Sequence, residues 1–275
     1  MVKGVNAVHD ADVPLLTTPG TAQLYRDALE MLNRSGVPFL VGGTYAFQYY
    51  AGIDRATKDF DIFVRPRDVH RVLDVLSSCG FKTEIAFHHW LAKASHGEQF
   101  IDVIYRSGNG LAEVDDEWFA HATDETVLGI PVRLVPAEEM IWTKALIMER
   151  ERYDGADVAH LIRHCAGLLN WDRLVRLFNG HWRVLLSHLI LFGFIYPGER
   201  SLVPSSLVKE LLNRLQAELD VPTRDSKVCQ GTLLSRAQYL VDVDEWGYED
   251  ARLVPRGVMT DEQIAEWTAG IDKSR

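Results

Sequence analysis

The sequence predicts an α/β fold of the α+β kind: a small mixed β-sheet with flanking helices, followed by an all-helical region. Three observations lead there. Short apolar runs of strand length alternate with helical periodicity as far as residue 135. Pro136 then opens a series of helical patterns without strands. Residues 37–64, VPFLVGGTYAFQYYAGIDRATKDFDIFV, read as strand, Gly-Gly, helix, strand.

The elements follow in order. Thr18-Pro19-Gly20-Thr21 signals a helix that carries Leu24, Ala28, Leu29 and Leu32 on one face and ends near Gly36. Residues 38–41 form a short buried strand, 44–50 a helix and 59–64 a second strand. Asp68 is placed to N-cap a helix through Leu73 and Leu76 that stops at Gly80. Strands are predicted at 81–86, 90–95 and 99–105. Residues 127–135, interrupted by Gly129-Ile130-Pro131, read as a hairpin or two edge strands, because Pro131 has no donor for a ladder. Helices are predicted at 137–150, 155–165, 171–179, 181–196 and 205–218, with Trp142, Trp171 and Trp182 as helical core. From residue 221 the periodicity is weak and the chain reads as irregular. The expected organisation is an α/β domain over 1–135, a helical domain over 136–220 that closes over a ligand, and a C-terminal segment over 221–275 packed on the body. The part of that segment between Gly231 and Asp250 reads as a lid, an oligomer contact or a tail folded back.

Bulk properties narrow the function classes. A 47% hydrophobic and 25% charged chain has the composition of an ordinary soluble protein. Residues 1–18 show no basic-then-apolar leader, so a cytoplasmic location is expected. The most apolar run, 184–196, is shorter than the roughly 20 residues of a bilayer span and carries His188, so it reads as a buried helix and no membrane partner is expected. Cys79, Cys165 and Cys229 are far apart and fit no metal-ligand spacing; free thiols in a reducing compartment are expected. The net charge of −10 argues against a general nucleic-acid coat protein, although a local basic groove is compatible with it.

The chemistry concentrates in residues 37–64. Gly42 and Gly43, between a strand and a helix, let backbone approach a ligand, and the helix start offers free N–H groups to phosphate. Thr44 adds a hydroxyl in the first turn, for a phosphate oxygen or for capping. Asp59 and Asp61 sit at i and i+2 of a strand, so both carboxylates share one face while Phe60, Ile62 and Val64 face the other way. Two like charges on one face call for a cation, and hard oxygen donors suit Mg²⁺, with Mn²⁺ as an alternative. Asp102, in the apolar run Phe100-Ile-Asp-Val-Ile-Tyr105, is the candidate third carboxylate; Glu98 and Asp115 are its rivals. Three carboxylates would hold two Mg²⁺ ions that clamp an α-phosphate during in-line attack. His88, His89 and His96, like His160 and His164, fit no zinc spacing.

Gly-Gly-Thr, then Asp-x-Asp, then a later strand Asp resembles the pattern of polymerase-β-like nucleotidyltransferases. Arg55-Ala-Thr57-Lys-Asp59-Phe-Asp61 resembles their minimal bacterial branch, which includes AbiEii-like toxin nucleotidyltransferases and antibiotic nucleotidyltransferases. Pro136-Ala-Glu-Glu139 with Lys144, followed by Arg152-Tyr-Asp154-Gly-Ala-Asp157, is similar to the helical segment of AbiEii-like proteins. The likeness covers residues 37–161; Thr44 replaces the commoner Ser, and Tyr153 stands where Lys is frequent.

The resemblance implies transfer of a nucleoside monophosphate from an NTP to an acceptor, with Asp59, Asp61 and Asp102 as catalytic and metal residues. It implies nucleotide contacts from Gly42, Gly43, Thr44, Arg55, Thr57, Lys144, Asp154 and Asp157. Read from the residues themselves, Lys144 is equally a lysine snorkelling over the core, Arg55 and Thr57 a loop pin, Asp154 a helix cap, and Asp157 a partner of Arg152 or His160. The acceptor is RNA, as for a toxin with a cognate partner protein, or a small molecule; a homo-oligomer and a non-catalytic nucleotide-binding module are the remaining alternatives.

Overall fold

The computed structural model describes residues 19–57, 59–222 and 226–269. The Thr18 start signal and the stretch 1–18 lie outside them. Helix α1 (Pro19–Ser35) opens with Pro at its first position, where a missing N–H costs nothing, and buries Ala22, Tyr25, Ala28, Leu29 and Leu32. Gly36, at φ +68°, ends it. Strand β1 (Leu40–Val41) runs into α2 (Gly43–Ala51), and β2 (Asp59–Phe63) returns antiparallel to β1. Helix α3 (Val69–Ser78) leads to a meander of β3 (Lys82–Phe87), β4 (Leu91–His96) and β5 (Gln99–Ile104). A short α4 (Asp116–Ala120) precedes the hairpin β6 (Thr123–Val127) and β7 (Ile130–Leu134).

These strands form a seven-stranded mixed sheet in the order β3-β4-β5-β2-β1-β7-β6. The pairs β2–β5 and β1–β7 are parallel, and the rest antiparallel. One face is apolar: Phe60, Ile62, Ala92, Ala94, Ile101 and Val103 are buried, with Tyr25 of α1 against Phe60 at 5.1 Å between ring centres. The alternate positions of β2 and β5 carry the carboxylates.

Helices α5 (Ala137–Ala145), α6 (Gly155–Cys165), α7 (Trp171–Phe178), α8 (Trp182–Ile195) and α9 (Ser205–Leu219) follow the sheet and pack on α2 and on one another. The buried apolar core runs from Ala22 in α1 to Leu211 in α9. An ion pair lies inside it: Arg173 of α7 binds Glu139 and Glu138 of α5, and Glu139 has no exposed surface.

Several expectations are corrected. Asp68 makes no capping bond; a short 3-10 turn, Pro66–Asp68, precedes α3, and Asp68 pairs with Arg65 at 2.6 Å and Arg71 at 3.6 Å. Pro131 lies in β7, which is not at an edge; β1 pairs with β7 only at Leu134, so the missing donor falls beyond the ladder. The helix expected over 137–150 stops at Ala145, and the chain then forms the Met148–Tyr153 bridge. Helix α8 buries Trp182, Leu185, Leu189 and Phe192 but exposes Ile190, Leu191 and Phe194, so it is buried on one face only. Trp182 is core, whereas Trp142 and Trp171 are partly buried.

The C-terminal segment is more regular than the sequence suggests. It holds the parallel pair β8 (Val228–Cys229) and β9 (Glu249–Asp250), α10 (Leu240–Asp244) and α11 (Asp261–Ala269). It folds back on the body. Trp267 packs so closely on Gly108 that a Cβ there would come within 2.8 Å of it, and Asn109 donates to the Leu233 carbonyl at 2.8 Å. Cys79, Cys165 and Cys229 are free. Among the described residues, no helix is long and apolar enough to cross a membrane.

Candidate active site

Strands β2 and β5 are parallel, with Asp61 directly opposite Asp102, so the two side chains leave the sheet on the same face. Asp59 precedes Asp61 by one pleat. Oxygens of Asp59, Asp61 and Asp102 all lie within 4.8 Å of one another. Neither rival takes part: Asp115 caps α4 through the N–H groups of Glu117 and Trp118, and Glu98 sits exposed in the β4–β5 turn.

The glycine turn closes over this cluster. Gly42 donates its N–H to the Asp61 carbonyl at 3.0 Å, and a Cβ on Gly42 would strike the Phe63 ring. Gly43 has φ +54°, and a Cβ built there would fall 1.7 Å from Asp61 Oδ2. Only glycine allows that approach. Thr44 stands part-buried in the first turn of α2. Thr57 donates its hydroxyl to Asp59 Oδ1 and so fixes that carboxylate.

Burial pushes the Asp61 carboxyl up to about 7, with the charges of Asp59 and Asp102 adding to it. Burial also raises Asp102, against the opposing pull of Lys93. Three acidic groups at this spacing are costly without a cation. The donor set therefore fits a hard divalent ion: all oxygen, close together, and partly desolvated.

A second cluster flanks the first. Lys144 of α5 donates to Asp157 at 2.7 Å and to Asp154 at 3.3 Å. Arg55 meets Asp157 at 2.6 Å, and Arg152 holds Asp154 through two bonds of 3.0 Å. Arg55 also lies 4.3 Å over the ring of Phe47 in α2, with Lys144 at 5.6 Å over the same ring. The positive charges of Lys144 and Arg152 reach Asp61. Asp154 occupies the N-cap position of α6 but makes no capping bond, and Asp157 pairs with neither Arg152 nor His160; both serve the cations instead. For Asp154 and Asp157, burial alone would raise the carboxyl, but their cationic partners outweigh it and hold each below its usual value.

Two further residues stand beside these clusters, and of these Lys93 has no signal in the sequence motifs. Lys93 of β4 sits opposite Asp102 and donates to its Oδ1 at 2.8 Å. Arg152 was visible only as part of a motif, and its place beside Asp61 depends on how the 146–154 loop folds. His89 is buried, with Nε2 against the Gly108 carbonyl at 3.1 Å, and His88 faces Glu266, so neither joins the carboxylates.

Three convergent carboxylates thus stand beside a glycine turn, on a mixed sheet with helices. The chain belongs to a nucleotidyltransferase family: the family model described as an uncharacterised nucleotidyltransferase matches residues 21–190. Solved structures resemble it more distantly. The antibiotic-resistance factor ANT(2'')-Ia, in solution, is 16% identical, with 62% of this chain and 96% of that one covered at a TM-score of 0.45. The lincosamide antibiotic adenylyltransferase LnuA, lincomycin-bound, is 14% identical, covering 50% and 94% at 0.37. JHP933 from Helicobacter pylori is 15% identical, covering 72% and 94% at 0.36. At these scores none of the three assigns a substrate. No curated protein matches the chain significantly.

Proposed function

We propose that this nucleotidyltransferase transfers a nucleoside monophosphate from an NTP to an acceptor hydroxyl or phosphate, in a reaction that depends on Mg²⁺. The observation that carries this reading is the convergence of Asp59, Asp61 and Asp102 within 4.8 Å, with the Gly43 backbone pressed against Asp61. Asp59 and Asp61 would hold two Mg²⁺ ions and Asp102 one of them. The metal would supply charge neutralisation at the α-phosphate and its leaving group.

With a hydroxyl acceptor, its oxygen attacks the α-phosphorus, the bond from that phosphorus to the bridging oxygen breaks, and pyrophosphate leaves. The hydroxyl proton passes to Asp102. Gly43 and Thr44, at the start of α2, hold the triphosphate with N–H groups and a hydroxyl, and Gly42, whose own N–H is bound to the Asp61 carbonyl, lets the turn come close to it. Lys144, Arg55 and Arg152 supply positive charge along it, and Asp154 and Asp157 set where those cations stand. Thr57 keeps Asp59 turned to the metal.

The test is incubation of the full chain with each α-³²P-labelled NTP, Mg²⁺ and a cell extract separated into RNA, protein and metabolites. Label should enter one fraction and vanish with EDTA or with Asp59→Asn. The AbiEii resemblance, and with it a toxin acting with a cognate partner, predicts label in RNA. An antibiotic-type role predicts label in metabolites. If no fraction gains label, or Asp59→Asn labels as well as wild type, the reading fails.

A further inference from the structure

Across β2, β5 and β4, in register and on one face, stand Asp61, Asp102 and Lys93. Lys93 is therefore on the side of Asp102 away from the other two carboxylates. Its ammonium is fixed twice, by Asp102 Oδ1 at 2.8 Å and by the ring of Phe100 4.5 Å below it. A lysine on an open sheet usually loses side-chain freedom by forming an ion pair and gains little. Here the Asp102 side chain is only 15% exposed, and the lysine 33%. The pair stands in partly desolvated ground, where a charged hydrogen bond counts for more.

We propose that Lys93 is a positioning residue for Asp102. It holds one carboxylate oxygen and so turns the other toward the acceptor hydroxyl, while its ammonium weakens Asp102 as a metal ligand, leaving Asp59 and Asp61 as the principal ligands. This rests on the nucleotidyl-transfer reading of the site. A fixed positive charge beside a cation site weakens metal binding, while orientation of the proton acceptor speeds the reaction. Loss of Lys93 must then move the two quantities in opposite directions. A merely structural lysine would not do this.

The experiment uses the full chain and four variants: Lys93→Met, Lys93→Arg, Asp102→Asn and the double variant Lys93→Met with Asp102→Asn. Calorimetric titration with Mn²⁺ alone reads metal affinity, and transfer of labelled nucleotide reads turnover. Lys93→Met should bind Mn²⁺ about threefold to tenfold more tightly. It should lower kcat by roughly tenfold with KM for the NTP nearly unchanged, which is the scale of one charged hydrogen bond. Lys93→Arg should recover most of the rate. In the Asp102→Asn background, Lys93→Met should cost nothing further, because the group it positions is gone.

Weaker Mn²⁺ binding by Lys93→Met, an unchanged kcat, or losses that add in the double variant each overturn the proposal. Should Lys93→Met fail to fold, Lys93→Gln, which keeps a polar tip at this part-exposed position, gives the same comparison. If the wild type transfers no label, the reading of the site fails by itself. The Mn²⁺ affinities still decide the role of Lys93, since they need no turnover.

Discussion

Asp61 has its neighbours on every side: the Gly43 backbone over one oxygen, Asp59 one pleat back and Asp102 across the ladder. Its carboxyl, pushed up to about 7 by burial and by those two charges, binds a proton more tightly folded than unfolded. Between about pH 4 and pH 7 the folded chain thus holds more protons, so this group lowers stability as pH rises through that window. Metal-free protein should accordingly melt lower at pH 8 than at pH 5.5, and Mg²⁺ should remove most of the difference. Thermal melts with EDTA and with Mg²⁺ read this directly. Asp61→Asn keeps the shape and removes the charge; it should cut transfer by at least about a hundredfold while raising the metal-free melting temperature. A drop in stability would contradict the account of like-charge crowding.

At this same scale, Asp59, Asp61 and Asp102 were legible in the sequence because an i, i+2 pair on a strand and a charge in an apolar run are local patterns. The pairing of Lys144 with Asp157 was not, since it joins two helices through a loop with no periodicity. From the residues alone Asp154 reads as a helix cap and Asp157 as a partner of Arg152 or His160. Arg152 beside Asp154 is local, but Lys144 and Arg55 reach the two acids from other elements.

Among elements, the turn from β1 into α2 carries the clearest contrast. Gly36 and Gly43 both have positive φ, but space around Gly36 is open whereas Gly43 lies against Asp61. Gly36→Ala should cost about 1 kcal/mol of stability and leave transfer intact, the ordinary penalty of a left-handed residue. Gly43→Ala should abolish transfer, because its methyl group and Asp61 Oδ2 cannot share one place. Parallel melts and label transfer separate the two.

Helices α5 and α7 are joined by the buried pair of Arg173 with Glu139. Arg173→Ala should destabilise the protein by about 3–5 kcal/mol, read by urea unfolding, because Glu139 is then left in the core without its partner and must take up a proton to stay there. The position of Lys93 was also within reach of the sequence. The β4–β5 hairpin turns at Gly97-Glu98, with His96 opposite Gln99, and counting back equally along both strands places Lys93 opposite Asp102. The apolar alternation marks both strands, but their register becomes fixed only with the turn at Gly97-Glu98.

At the level of the molecule, the C-terminal segment braces the loop that carries Arg152. Met148 donates its N–H to the Leu234 carbonyl at 2.9 Å, and Glu149 accepts from the Ser235 hydroxyl and from the Arg236 N–H at 2.9 Å. Glu149→Ala should speed amide exchange over residues 147–154 and 231–236 together, with exchange in the sheet unchanged. The sequence suggests a segment packed on the body but not these partners, for residues beyond 221 draw their order from contacts with the body and not from any periodicity of their own.

The core passes from α1 through the sheet and on to α9 by way of side chains packed on one another. That continuity bears on how fast a nucleotide can be caught. A cleft between two separately packed lobes must wait for them to close, and its binding rate levels off at high ligand concentration. A cleft cut into a single packed body admits ligand at the rate of encounter, so in stopped flow a fluorescent ATP analogue should bind in one phase whose rate climbs linearly with concentration.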